Sequence, residues 1–248
     1  MFTLAFLFAI FVVFMTIYLT ELSPINNLFP NVNTALKDPD GLLAIGGDLM
    51  PERIISAYRN GVFPWFSDDQ PILWWSPSER ATISPSQCHI SKSMKRLMNK
   101  NLFTITINQA FSQVIEACAQ PREAQIETWI TTSMQQAYIN LHKLHFAHSV
   151  EVWNGKQLVG GLYGVCVGSY FCGKSMFSKE DNASKLAFIT LCQHFKKYNG
   201  QRIDCQMLTK HLQSLGVQGQ SRKEFIKDLS KFKNISINKA CWKQQQIR

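Results

Sequence analysis

Phe171-Cys-Gly-Lys-Ser-Met-Phe-Ser178 and Ile203-Asp-Cys-Gln-Met-Leu208 are the two stretches on which the reading of the fold turns. The first opens with aromatic and small residues, as a strand does, and ends at a polar helix start. The second is a strand that carries a carboxylate and a carboxamide two positions apart. Side chains alternate across a strand, so Asp204 and Gln206 are expected on one face, about 6–7 Å apart along the chain. An acid beside an amide, within reach of aromatic walls, can bind an amine and orient a carbonyl. The same pair on a solvated face has no chemical role, and the residues alone leave both readings open.

Around these stretches the pattern is continuous. Val150 to Trp153, Asn154-Gly155 and Gln157 to Val167 form a hairpin signal, because Asn-Gly suits a type I′ turn. Gly168 then turns the chain into a third strand ending near Phe177. Glycines at 160, 161, 164, 168 and 173 are expected to leave open backbone where a ligand approaches. Asn182 or Ser184 caps a long helix to about Tyr198, closed by Asn199-Gly200. A short helix near His211 to Leu215 follows the Asp204 strand. Ser221-Arg-Lys-Glu224 is a capping box opening a last helix, and the basic tail beyond Asn234 is expected to fray. Antiparallel strands, a helix, a further strand and another helix point to an α+β domain of acyltransferase type with a mixed, mainly antiparallel sheet. A coenzyme A site would want a Gly-rich turn opening a helix. Gln157-Leu-Val-Gly-Gly-Leu162 comes near that pattern but runs into a strand.

The N-terminal third differs in character. Pro51 starts a helix to about Asn60 with Gly61 as its stop, and Met50 before it has no oxygen to cap a free amide. Phe63-Pro-Trp-Phe66 and Trp74-Trp75 supply either a small aromatic core or the wall of a slot. A second unit begins near Ala81, which divides the chain into residues 1–18, 19–80 and 81–248. Its first helix, from His89 to Asn101, sets Lys92, Lys95, Arg96 and Lys100 on one face, a solvated face or a phosphate contact.

The net charge of +9 over 248 residues favours an anionic partner. Seven cysteines, an odd count without a C-x-x-C pair, argue against both a zinc knuckle and a disulfide framework. Of His142, His145 and His148 only the first two could share a helix face, and no carboxylate or thiol completes a site with them, so packing and capping roles are expected and no metal. Residues 1–18 are apolar without flanking Lys or Arg. An overlong start, with Met15 as the true first residue, is therefore expected instead of a membrane anchor.

Asp40-Gly-Leu-Leu-Ala-Ile-Gly-Gly-Asp-Leu49, Gly61-Val-Phe-Pro-Trp-Phe-Ser67, Ile72-Leu-Trp-Trp-Ser-Pro77, Thr128-Trp-Ile-Thr131, His148-Ser-Val-Glu-Val-Trp153, Ser175-Met-Phe-Ser178, Asn182-Ala-Ser-Lys185 and Ile203-Asp-Cys-Gln206 carry a resemblance. In order, and from about Leu19 to Phe232, the chain resembles the bacterial leucyl/phenylalanyl-tRNA–protein transferases. The resemblance implies a small N-terminal domain and a larger acetyltransferase-like (GNAT-related) domain. It implies a cytoplasmic, monomeric enzyme without cofactor or metal. Its partners would be aminoacyl-tRNA and proteins with N-terminal Arg or Lys, which receive Leu or Phe and pass to the Clp protease.

By the same resemblance Asp204 and Gln206 stand at the reaction centre. Trp65, Trp129 and Phe171 surround the terminal adenosine and the amino acid, and Ser178, Leu191 and Thr209 fall at pocket positions. Three departures stand out: Lys174 where the family usually has Glu, Thr209 where Asn is common, and Leu191 where Phe can occur. A pairing of Lys174 with Asp204 that blocks the acid follows as an expectation. Two other classes are a weakened homologue that binds aminoacyl-tRNA without transfer, and a coenzyme A-dependent acetyltransferase.

Overall fold

A computed structural model of the chain describes residues 19–121 and 129–248. The extension over 1–18, the start at Met15 and most of the loop from Gln120 to Thr128 fall outside them. The first part runs β1 (Thr20–Leu22), β2 (Leu42–Gly46), α1 (Pro51–Arg59), β3 (Phe63–Pro64) and β4 (Leu73–Trp75). The rest runs β5 (Glu79–Ile83), α2 (Lys92–Asn99), β6 (Thr104–Ile107), α3 (Phe111–Ala119), α4 (Thr132–Lys143), β7 (Ala147–Asn154), β8 (Gln157–Val167) and β9 (Tyr170–Ser178). It ends with α5 (Ala183–Lys197), β10 (Arg202–Gln206), α6 (Lys210–Ser214), β11 (Gln218–Ser221), α7 (Arg222–Phe232) and β12 (Gln245–Gln246).

Local chemistry accounts for several boundaries. α1 begins at Pro51, whose missing N–H would have had no helical partner, and Met50 makes no side-chain cap. It stops at Gly61 with φ +76°, where any Cβ would strike Ile226 and Phe225 of α7. α7 opens on the expected capping box, with Ser221 and Glu224 bonding reciprocally. α5 departs from expectation. Asn182 is left-handed and makes no side-chain cap, and Ser184 lies within the helix. Ser178 at the end of β9 takes the free amide of Ser184 instead, at 3.1 Å.

β1-β2-β4-β3 make a small sheet, and β11-β5-β10-β9-β8-β7-β6-β12 a large one. The chain passes from one to the other between Trp75 and Glu79, so the border expected at residue 80 falls inside β5. Alternating burial sorts the core to both faces of the large sheet. α2, α5 and α6 pack on one face, with Met94, Phe188 and Leu212 buried there. α1, α3, α4, α7 and the small sheet cover the other in one continuous cluster, where Ile54 and Trp74 join Tyr138, Val165 and Phe225. The N-terminal part therefore shares its core with the rest.

Among the described residues, β9 and β10 are the one parallel pair in the large sheet; the remaining neighbours run antiparallel. Their pairing, Arg202 with Tyr170, Ile203 with Phe171 and Asp204 with Cys172, ends there. β10 is irregular between Asp204 and Gln206, and Gln206 adopts φ +60°. From Gly173 onward β9 loses its neighbour on that side, and the two strands part.

Three further expectations are tested by the packing. The glycines are mostly for packing and not for open backbone: a Cβ at Gly160 would meet Ala183 at 2.5 Å, and one at Gly164 the Phe171 ring at 2.7 Å. Gly173, where the strands part, does have room, with its nearest neighbour at 3.6 Å. The tail does not fray. β12 pairs with β6, Cys241 is buried, and Trp242 stacks 4.2 Å from His148 and 5.4 Å from Phe171. Two of the three histidines pack as expected, and the third does not: burial holds His148 near a pKa of about 3, His142 stacks on Phe111 at 4.3 Å, and His145 is exposed with φ +63° past the end of α4. No group of His, Cys, Asp or Glu able to hold a metal occurs among the described residues.

A cleft between parting strands

Where β9 and β10 separate, a cleft of about 830 Å³ passes between them and draws walls from both sides of the sheet. Phe171, Leu191 and Ile203 come from the α5 side; Phe63, Trp65, Trp129 and Lys174 come from the side of the small sheet. Gln206, Thr209 and Ser178 are at its rim. Of the residues singled out in the sequence, the cleft gathers Trp65, Trp129, Phe171, Lys174, Ser178, Leu191, Gln206 and Thr209.

Asp204 does not reach it. Its side chain is fully buried, and both oxygens accept from the Arg80 guanidinium at 2.8 Å. Arg80 itself lies between the rings of Phe63 and Phe225 and donates to Gly61 O at 2.9 Å. The irregularity of β10 brings Gln206 back over this pair. Its backbone N donates to Asp204 Oδ1 at 2.9 Å and its Nε2 to Oδ2 at 3.2 Å. A carboxylate can only accept, so the amide nitrogen must turn inward and the Gln206 carbonyl oxygen outward. The even alternation expected of Asp204 and Gln206 is thus replaced by direct contact, with one residue behind the other. Arg80 was missed in the sequence because a charged residue at a strand start reads as solvated. Its one signal is the apolar Ala81-Thr-Ile83 run that follows.

Lys174 does not pair with Asp204, contrary to expectation, because Arg80 already holds both carboxylate oxygens. Its Nζ donates to Pro64 O at 3.0 Å and lies 4.4, 5.2 and 5.7 Å from the rings of Trp129, Phe63 and Tyr138. Burial, and then the charge of Arg80, lower its pKa from 10.5 to about 7. Between pH 7 and 10.5 the unfolded chain therefore holds the proton that the folded chain has lost, and stability rises with pH across that window. Below pH 7 both states are charged and the full penalty of burying an ammonium applies. Lys174→Met is expected to stabilise the fold at pH 6 by on the order of 2 kcal/mol, a gain that shrinks toward pH 10.5. Urea unfolding at pH 6 and about pH 9 measures it; equal gains at both would exclude this origin.

The remaining positions divide plainly. Thr209 caps α6 by accepting from Leu212 N at 3.2 Å, and Ser178 caps α5, so both have a structural role at the rim. Lys92, Lys95, Arg96 and Lys100 are exposed along α2 and its end, without an acidic partner within ion-pair distance among the described residues. Gln157 to Leu162 lies in β8 and opens no helix.

Fold and site together define a protein of mixed helices and strands built on two sheets, with an aromatic-walled cleft at which a buried acid holds a carboxamide. The chain belongs to the leucyl/phenylalanyl-tRNA–protein transferase family, as the motifs had indicated. The profile of leucyl/phenylalanyl-tRNA protein transferase matches residues 82–230, and that of its N-terminal domain matches 47–78. The leucyl/phenylalanyl-tRNA–protein transferase of Psychromonas ingrahamii is 64% identical over 234 residues, 94% of this chain and 98% of that one. That of Tolumonas auensis is 50% identical over 233 residues, 94% and 99% of the two chains. Among solved structures, L-PGS from Bacillus licheniformis aligns at a TM-score of 0.38 and 13% identity over 64% of this chain and 51% of that chain, too slight a likeness to argue from.

Proposed function

We propose that the cleft transfers Leu or Phe from the 3′ end of aminoacyl-tRNA to the N-terminal α-amine of proteins that begin with Arg or Lys. The observation that carries this is the Gln206 oxygen, fixed outward by Asp204 and Arg80 at the edge of an apolar, aromatic-walled cleft. Trp65 and Trp129 flank the adenosine, and Phe171 and Leu191 lie deeper against the amino acid side chain. An α-amine has an ordinary pKa near 8, so part of it is already neutral at about pH 7.5. The neutral amine donates one N–H to Gln206 Oε1 and attacks the ester carbonyl. As the C–N bond forms the ester C–O bond breaks, and the amine proton leaves with the ribose hydroxyl. The ester is already activated, so most of the acceleration comes from holding amine and carbonyl together.

The basic face of α2 supports contact with tRNA phosphates, each lysine or arginine there adding a salt-dependent increment. The parting of one parallel pair in an otherwise antiparallel sheet supports placing the larger unit with GNAT-related acyltransferases. No helix among the described residues is long and apolar enough to cross a membrane, and we place the enzyme in the cytoplasm, where charged tRNA occurs, marking acceptors for degradation.

Incubation with [¹⁴C]Leu-tRNA or [¹⁴C]Phe-tRNA and an Arg-starting peptide tests the reading. Label in the peptide is expected. A tRNA shift in a gel with no labelled peptide would favour the second reading, a homologue that binds without transfer, for which buried Lys174 is the motive.

A further inference from the structure

A second cavity of about 390 Å³ adjoins the cleft and shares Phe63, Trp65 and Met207 with it. Trp75 and Pro77 add apolar wall, and Asp40 and Glu79 add two carboxylates. Among the described residues Glu79 has no ion-pair partner, and its carboxylate lies over Gly219, where even a Cβ would come within 1.9 Å of Oε1. The bare backbone of β11 thus sets where that oxygen can be. Asp40 accepts from Ser78 N and Oγ, and the nearby Arg222, whose charge Asp40 feels, donates Nε to Pro77 O and Nη1 to Val32 O and makes no ion pair with either acid. Among the described residues the cleft itself is lined by Lys174 and Lys179 and by no carboxylate, and behind Gln206 the charges of Arg80 and Asp204 cancel, so a cation inside finds no unpaired anion.

We infer that the second cavity receives the cationic side chain of the acceptor's N-terminal residue while Gln206 holds its α-amine. The inference rests on the transfer reading above. Met207 lines both cavities and directly follows Gln206 in the chain, so the second cavity adjoins the residue that holds the amine, within the span of an arginine or lysine side chain. A guanidinium there stacks on the indole rings and pairs with Glu79 at its far end.

The test measures Leu transfer from charged tRNA onto peptides differing only at the first residue, Arg, Lys or citrulline, the neutral isostere of Arg. Wild type is expected to show a KM for the citrulline peptide roughly five- to tenfold above that for Arg. In Glu79→Gln, and more so with Asp40→Asn added, the Arg KM is expected to rise to the citrulline value with kcat within about twofold. Gly219→Ala, which displaces the Glu79 carboxylate without changing charge, should do the same in smaller measure. Equal KM values for Arg and citrulline in wild type, or an unchanged Arg preference in the double variant, would overturn the subsite while leaving transfer intact. A wild type that labels none of the peptides overturns the transfer reading, and the subsite with it. Urea unfolding of each variant separates lost binding from lost folding: a variant with wild-type stability and a raised Arg KM has lost the contact and not the fold.

Discussion

Arg80→Met should lower stability by about 3–5 kcal/mol, because it leaves the fully buried Asp204 without its cation. The wild-type pair satisfies two guanidinium nitrogens on Asp204 and a third on Gly61 O, all between 2.8 and 2.9 Å. Methionine has similar bulk and can pack between Phe63 and Phe225, so lost volume is a minor part of the effect. The charge left behind is the major part. Arg80→Met combined with Asp204→Leu should therefore recover much of the lost stability, since replacing both members of a buried pair by apolar groups is often neutral. Urea unfolding of the two variants measures this. A single variant that loses less than about 1 kcal/mol, or a double variant no better than the single, would mean that the pair is not what secures this end of the sheet. The double variant should fold yet transfer poorly, because Gln206 then has no carboxylate to hold its amide.

This pair also marks where sequence reading stopped. The hairpin of β7 and β8, the capping box of α7 and the Asp204 strand were legible because short-range chemistry fixes them: an Asn-Gly turn, a reciprocal side-chain bond, an alternation of apolar residues. β11, with Gln218-Gly-Gln-Ser221, carries no such signal and is a strand only because β5 lies beside it. The tail reads as a loose basic end, yet Trp242 inserts between His148 and Phe171 and so props a wall of the cleft. Contacts between residues far apart in the chain decide both cases, and nothing local announces them. The candidate site was legible in its aromatic residues and in Gln206. It was misread at Asp204, since an acid two positions from an amide says nothing about an arginine 124 residues earlier that has already claimed it.

The second large effect follows from that arrangement and concerns Gln206, where Glu should be worse than Ala. If the side chain acts as an oriented acceptor, Gln206→Ala removes it and leaves the Arg80–Asp204 pair intact. Transfer should fall about 10²-fold with little change in stability. Gln206→Glu has nearly the same shape but loses the inward amide donors, and sets a second carboxylate about 3 Å from Asp204. Repulsion turns the introduced carboxylate away from Asp204 or forces it to hold a proton, so the fixed acceptor is lost and the pair behind it disturbed. Transfer should fall about 10³-fold, with some loss of stability besides. A general base would give the opposite order, since a carboxylate is the stronger proton acceptor. Single-turnover transfer to an Arg peptide from saturating Leu-tRNA ranks the three. The order Gln, Ala, Glu assigns positioning of the amine; activity in Gln206→Glu at or above that of Gln206→Ala would assign proton abstraction instead and sink the role given to Asp204.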